Sequence, residues 1–158
     1  MKETPFYFPD VPTIVIRKFL SEVGNYQSNH LGNYTRELLV ISYLQLPSVL
    51  RDSLTPSKAT LKRLWRGCDG LLSEKRCVSF TTNKGYAGTF GRYVIPFKEI
   101  KTHDGLIDTA KVYKLSQKHK GFDTGDDEGE VIVVAPIWTE KIINILHPPP
   151  SDKKRDYL

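Results

Sequence analysis

The apolar positions of this chain change their period about a third of the way along. From Thr13 the set Ile14, Val15, Ile16, Phe19, Leu20 and Val23 recurs near helical spacing, and Gly24 follows as a stop, so a first helix is predicted there. Asn25 to Asn33 is polar and turn-rich. After it Tyr34, Leu38, Leu39, Ile41, Leu44 and Leu46 suggest a second helix with a broad apolar face, which Pro47 ends or kinks. A shorter helical segment is expected over Ser48 to Leu54, and in Thr55-Pro56-Ser57-Lys58 the Ser57 hydroxyl is placed to cap a further short turn. The prolines between Pro5 and Pro12 exclude a regular helix, so this stretch is expected to lie across the surface as an extended arm.

From Leu61 onward short β-prone runs alternate with glycine-rich turns: Leu64 to Gly67 (within Lys62 to Cys68), Arg76 to Thr81, Arg92 to Phe97 and Val131 to Pro136. Ala110 to Gln117 fits either a helix or a strand, and Lys118 to Gly129, with its glycines and aspartates, reads as a loop. Thr139 to Leu146 is expected to be a last strand, because Ile142, Ile143 and Ile145 are β-branched. His147-Pro-Pro-Pro-Ser151 and the charged end should be extended and mobile. The pattern predicts one α+β domain over residues 1–158: a helical region over 1–60, a β-rich core over 61–146 and a mobile tail over 147–158.

Composition agrees with a single globular domain, since 158 residues with 39% hydrophobic and 26% charged content can bury a core of their own. No stretch reaches the roughly 18 apolar residues of a membrane span, and Met-Lys-Glu-Thr-Pro-Phe lacks the apolar core of a signal peptide, so no membrane partner and a cytoplasmic location are expected. Cys68 and Cys77 lie nine apart and four histidines are scattered, which matches neither a zinc site nor a disulfide framework; no metal is expected. The net charge of +5 favours encounter with acidic partners such as a dinucleotide, an acidic protein or a nucleic acid. Apart from Lys58 to Arg66 and Lys153-Lys154-Arg155 the charge is dispersed, and no dedicated DNA-binding face is evident.

Three segments carry candidate chemistry. Arg66, after Leu64-Trp65 and before Gly67, sets a permanent cation at a strand end beside a residue without a side chain. Ser79 and Thr81 share a strand face while Phe80 points to the other. Glu130 stands at the entry to the apolar run Val131 to Val134, where a core strand can hold its carboxylate rigidly; Glu128, two positions earlier, would point to the same side of an extended chain. Asp126 and Asp127 beside them leave a solvated acidic turn as the plainer reading of this stretch.

The order of a strand-borne arginine, Ser79-Phe80-Thr81-Thr82 and Glu128-Gly129-Glu130 resembles the Arg, Ser-x-Ser/Thr, Glu-x-Glu pattern of the mono-ADP-ribosyltransferases, over roughly Lys62 to Pro136. Arg66 and Ser79 are 13 positions apart, shorter than in many toxins of that class, a departure that a compact bacteriophage- or effector-type variant would accommodate by trimming the connection between strands. The resemblance implies a helical N-terminal region against two packed, mainly antiparallel sheets with NAD in the cleft between them. NAD would serve as co-substrate, donating ADP-ribose with release of nicotinamide. The resemblance gives Arg66 the NAD phosphate, the backbone after it at Gly67 the nicotinamide amide, and Ser79 the orientation of Glu130 and of the nicotinamide ribose. It gives Thr81 support of the strand and Glu130 the stabilisation of the developing cation. Phe90, eleven residues beyond Ser79, would set a ring against nicotinamide, with Tyr86 competing for that place.

In the family a glutamate at the position of Glu128 goes with arginine as acceptor, because it can bind a guanidinium and help deprotonate it. The Lys118 to Asp127 loop would border the acceptor site. The implied partners are NAD and an acceptor protein, with a host's transcription or translation machinery as one target class and nucleic acid as another acceptor; for a phage-encoded or delivered protein the location becomes the host cytoplasm. An NAD glycohydrolase differs only in using water as acceptor. Rivals from other classes are a basic RNA- or protein-binding module built on Arg63, Arg66, Arg92 and neighbouring aromatics, and an inactive transferase fold kept as inhibitor or scaffold.

Overall fold

The computed structural model describes residues 8–28, 32–70, 76–119, 121–122 and 129–146. Helices α1 (Thr13–Ser28) and α2 (Asn33–Leu44) pack on one another and are followed by the short α3 (Ser48–Ser53) and α4 (Lys58–Leu61). Ser57 caps α4 as expected, its hydroxyl accepting from the Thr60 amide at 3.1 Å. The chain then enters β1 (Trp65–Cys68) and β2 (Cys77–Thr81), crosses the short helix α5 (Lys84–Ala87), and forms β3 (Tyr93–Pro96), β4 (Ile100–Thr102) and β5 (Gly105–Asp108). Helix α6 (Thr109–Ser116), β6 (Glu130–Val134), β7 (Ile137–Trp138) and α7 (Glu140–Leu146) complete it. Five strands make one antiparallel sheet in the order β3-β1-β2-β6-β5, and β4 pairs with β7 in a second. The α+β architecture, with helices on antiparallel sheets, is the one predicted.

Alternation along β2 and β6 divides the interior in two. Cys77, Ile132 and Val134 face the helices and join Phe19, Leu20, Val23, Tyr26, Leu39, Val40 and Tyr43 in one core. Val78, Phe80, Val131 and Val133 face away and meet Leu64, Ile95, Trp138 and Ile142 in the other. There Phe80 stacks edge-on against Phe97 with centroids 5.7 Å apart, and Trp138 of the small sheet lies 6.2 Å from the same ring. At the rim Ser79 and Glu130 lie on the helical side, each two residues from a core position on its own strand.

Several local expectations are corrected. Helix α1 runs through Gly24 to Ser28, because Tyr26 falls three residues beyond Val23 on the buried stripe and its burial outweighs one glycine in a helix. Helix α2 buries Arg36, Leu39, Val40, Ser42 and Tyr43, whereas Tyr34, Ile41 and Leu44 are exposed, so the inward face lies to one side of the face predicted. Phe8 to Pro12 is a turn rather than an extended arm: the Val11 amide donates to the Phe8 carbonyl at 3.1 Å, and Val11 is buried against the helices. The ambiguous 110–117 stretch is helix α6, capped by Asp108, whose carboxylate accepts from the Ala110 amide at 3.0 Å. The predicted last strand is helix α7. Its β-branched residues yield to a one-sided burial in which Ile142 enters the core and Leu146, one turn on, packs beside it while Ile143 and Ile145 face solvent. Strands β4 and β5 were not predicted. The tail 147–158 and most of the 118–129 loop lie outside the described residues.

Candidate functional site

The β2–β6 pairing sets the geometry of the site. Thr81 lies opposite Glu130 and Ser79 opposite Ile132, so Ser79 and Glu130 are diagonal neighbours on one face. The Ser79 hydroxyl donates to Glu130 Oε2 at 2.6 Å. Two neutral groups from the end of α1 reach the same pair: the Tyr26 hydroxyl is 2.6 Å from Ser79 Oγ, and Gln27 Nε2 donates to Glu130 Oε1 at 3.2 Å. The backbone of Glu130 is anchored too, since the hydroxyl of the fully buried Thr109 donates to its carbonyl at 2.8 Å. A carboxylate gripped at both oxygens and at its own peptide cannot swing freely.

Gly129 explains how the chain delivers this glutamate. It adopts φ +66, and a Cβ there would overlap the Thr82 hydroxyl, so only glycine suits the turn into β6. That conformation also corrects the argument for Glu128. Gly129 is not extended, so the two-residue alternation that was to set both carboxylates on one side does not carry through it. Glu128 itself lies outside the described residues.

Arg66 reaches the site from β1, Nη1 donating to the Ser79 carbonyl at 3.1 Å. Its Nε is buried with no hydrogen-bond partner, and burial pulls its pKa below the usual guanidinium range, opposed by Tyr26 and Cys68 and reinforced by the charge of Arg36. Arg36, 4% exposed on α2, repeats the situation with a second orphaned Nε. Among the described residues neither arginine takes part in an ion pair. Beneath them the buried thiol of Cys77 is pushed up to about 12, chiefly by desolvation, and burial likewise raises the Tyr26 phenol, so both stay neutral. Cys68 and Cys77 are free thiols.

The remaining candidates divide. Thr81 is buried at the rim, and its hydroxyl accepts from the Asn83 amide at 3.0 Å, which shapes the turn after β2. Gly67 does permit a close approach, but the neighbour is the chain's own α5: a Cβ would collide with the Ala87 carbonyl oxygen. The same β-carbon would come within 3.2 Å of Phe90 Cβ, which sets Phe90 beside β1. Phe90 and Tyr86 are not alternatives, since they form one edge-to-face pair with centroids 4.9 Å apart, and the Phe90 ring is half exposed.

Three participants escaped the sequence reading. Tyr26 and Gln27 lie beyond the glycine taken as a helix stop, although Tyr26 continues the Phe19–Val23 stripe. Arg36 carried a clearer signal, because it shares a helical stripe with Leu39, Val40 and Tyr43, where a charge is out of place unless it has work there. Compared with models of known protein families, with curated proteins and with solved structures, the chain matches none.

Proposed function

We propose that this chain is an NAD-dependent mono-ADP-ribosyltransferase that moves ADP-ribose from NAD to a protein acceptor, at arginine, and releases nicotinamide. The observation that carries the reading is the convergence of Arg66, Ser79 and Glu130, three residues from three strands, through Ser79: its hydroxyl holds Glu130 and its carbonyl holds Arg66. The finer fold assignment, a transferase-like pair of sheets with a dinucleotide cleft, belongs to the same proposal.

The residues present fit a dinucleotide. Two arginines that feel each other's charge, with orphaned buried Nε atoms and no described carboxylate partner, are the cations proposed for the diphosphate, for which the guanidinium fork is well matched. The exposed Phe90 ring, backed by Tyr86, offers a flat face to a pyridine amide. Cleavage of the bond between nicotinamide and ribose sends the bonding electron pair to the leaving nicotinamide and builds positive charge on the sugar. Glu130, positioned by the neutral donors Ser79 and Gln27, would stabilise that cation and accept from the ribose hydroxyls. The acceptor's nitrogen then forms the new bond to the sugar and loses a proton, for which Glu128 is the expected base by the family pattern.

Labelled NAD, a bacterial lysate, and wild-type or Glu130→Gln protein test the reading. Labelled protein formed by the wild type and reduced at least about a hundredfold in the variant is the expected result. Free nicotinamide without labelled macromolecules would replace transfer by NAD hydrolysis, label in nucleic acid would move the acceptor, and an inert wild type would refute the reading.

A further inference from the structure

Glutamate side chains end in a soft torsion, so a single hydrogen bond to one oxygen leaves the carboxylate plane free to turn. Here Ser79 binds Oε2 at 2.6 Å and is itself backed by the buried Tyr26. The second constraint comes from 103 residues away in sequence, where Gln27 meets Oε1 at 3.2 Å. Gln27 directly follows Tyr26, whose ring is packed into the helical core, so the reach of Gln27 is set by a rigid anchor rather than by a loop.

We infer that Gln27 is a positioning residue, which fixes the plane of the Glu130 carboxylate from the last turn of α1. The inference rests on the transferase reading and deepens it. An amide donor on Oε1 holds the plane without displacing the Ser79 contact on Oε2. An amide also orients without neutralising, whereas a lysine or arginine in its place would cancel the charge that the developing cation requires. Among the described residues, the titratable groups that feel the charge of Glu130 include Tyr26 on α1 and Cys77 on β2; Arg66 of β1 binds the Ser79 carbonyl, and Arg36 of α2 acts on Cys77 and Arg66. Burial holds the first two neutral, so they do not compete for the role.

The test compares wild type with Gln27→Leu and Gln27→Glu by steady-state kinetics and by carbon NMR titration of the Glu130 carboxyl. Gln27→Leu should lower kcat about 10- to 100-fold with KM for NAD changed no more than about threefold, because orientation is lost while the diphosphate grip stays. Loss of a donor to the ionised form should move the Glu130 titration midpoint upward. Gln27→Glu should raise the acid limb of the kcat profile by about one pH unit, since two adjacent carboxylates resist joint ionisation. An unchanged midpoint in Gln27→Leu, or a shifted midpoint with wild-type kcat, overturns the inference. Failure of the transferase reading looks different: the wild type itself then leaves NAD intact, and the role in turnover falls with it.

Discussion

Replacing Arg36 by methionine should make the ligand-free protein more stable. The side chain is 4% exposed, its Nε has no partner, and Arg66 close by holds a second orphaned Nε. An unsatisfied buried donor costs about 1–3 kcal/mol, and exchanging buried charges for well-packed apolar groups commonly stabilises by about 1–4 kcal/mol. Methionine keeps most of the stem volume and adapts to irregular gaps, which limits the packing loss. A net gain of about 1–3 kcal/mol follows, or about 2–10 °C in Tm for a chain of this size. Scanning calorimetry and urea titration measure it, with calorimetric NAD binding run in parallel. Affinity for NAD should fall at least about tenfold, near 1.4 kcal/mol, because one of the two guanidinium groups proposed for the diphosphate is gone. A variant less stable than wild type by more than about 1 kcal/mol would refute the electrostatic reasoning, and unchanged NAD affinity would remove Arg36 from the site.

Two further outcomes follow from the same geometry. Gly67→Ala should destabilise by about 3 kcal/mol or more, seen as a lowered urea midpoint, because the new methyl meets the Ala87 backbone rather than a side chain that can move. Stability should fall on the alkaline side: the Cys77 thiol, ordinarily near 9.0, stays protonated in the fold to about 12, while the unfolded chain gives up its proton earlier and gains from every rise in pH between those values. The slope is about 1.4 kcal/mol per pH unit for this group, Tyr26 adding to it at the upper end, and urea titrations at stepped pH should show Cys77→Ala losing the thiol's share.

The β-rich half was legible where local pattern and burial agree. Strands β1, β2, β3 and β6 announce themselves as short β-prone or apolar runs between turns, and the placing of Glu130 at the start of an apolar run is a statement about one strand, as is the Ser79–Thr81 spacing. Where propensity and burial disagreed, the sequence misled: α7 looks like a strand until one face of it is buried, and Gly24 looks like a stop until Tyr26 is packed.

What the chain determined by itself is therefore local: which residues end strands and which carry hydroxyl, cation or carboxylate. What only tertiary structure decided is who meets whom. Gln27 touches Glu130 across 103 residues, Tyr26 touches Ser79 across 53, and Arg36 comes to act on the charge of Arg66 when α2 packs over β2. No periodicity encodes such meetings, because they follow from the docking of a helical layer on a sheet, which the summed burial of two cores selects rather than any short segment.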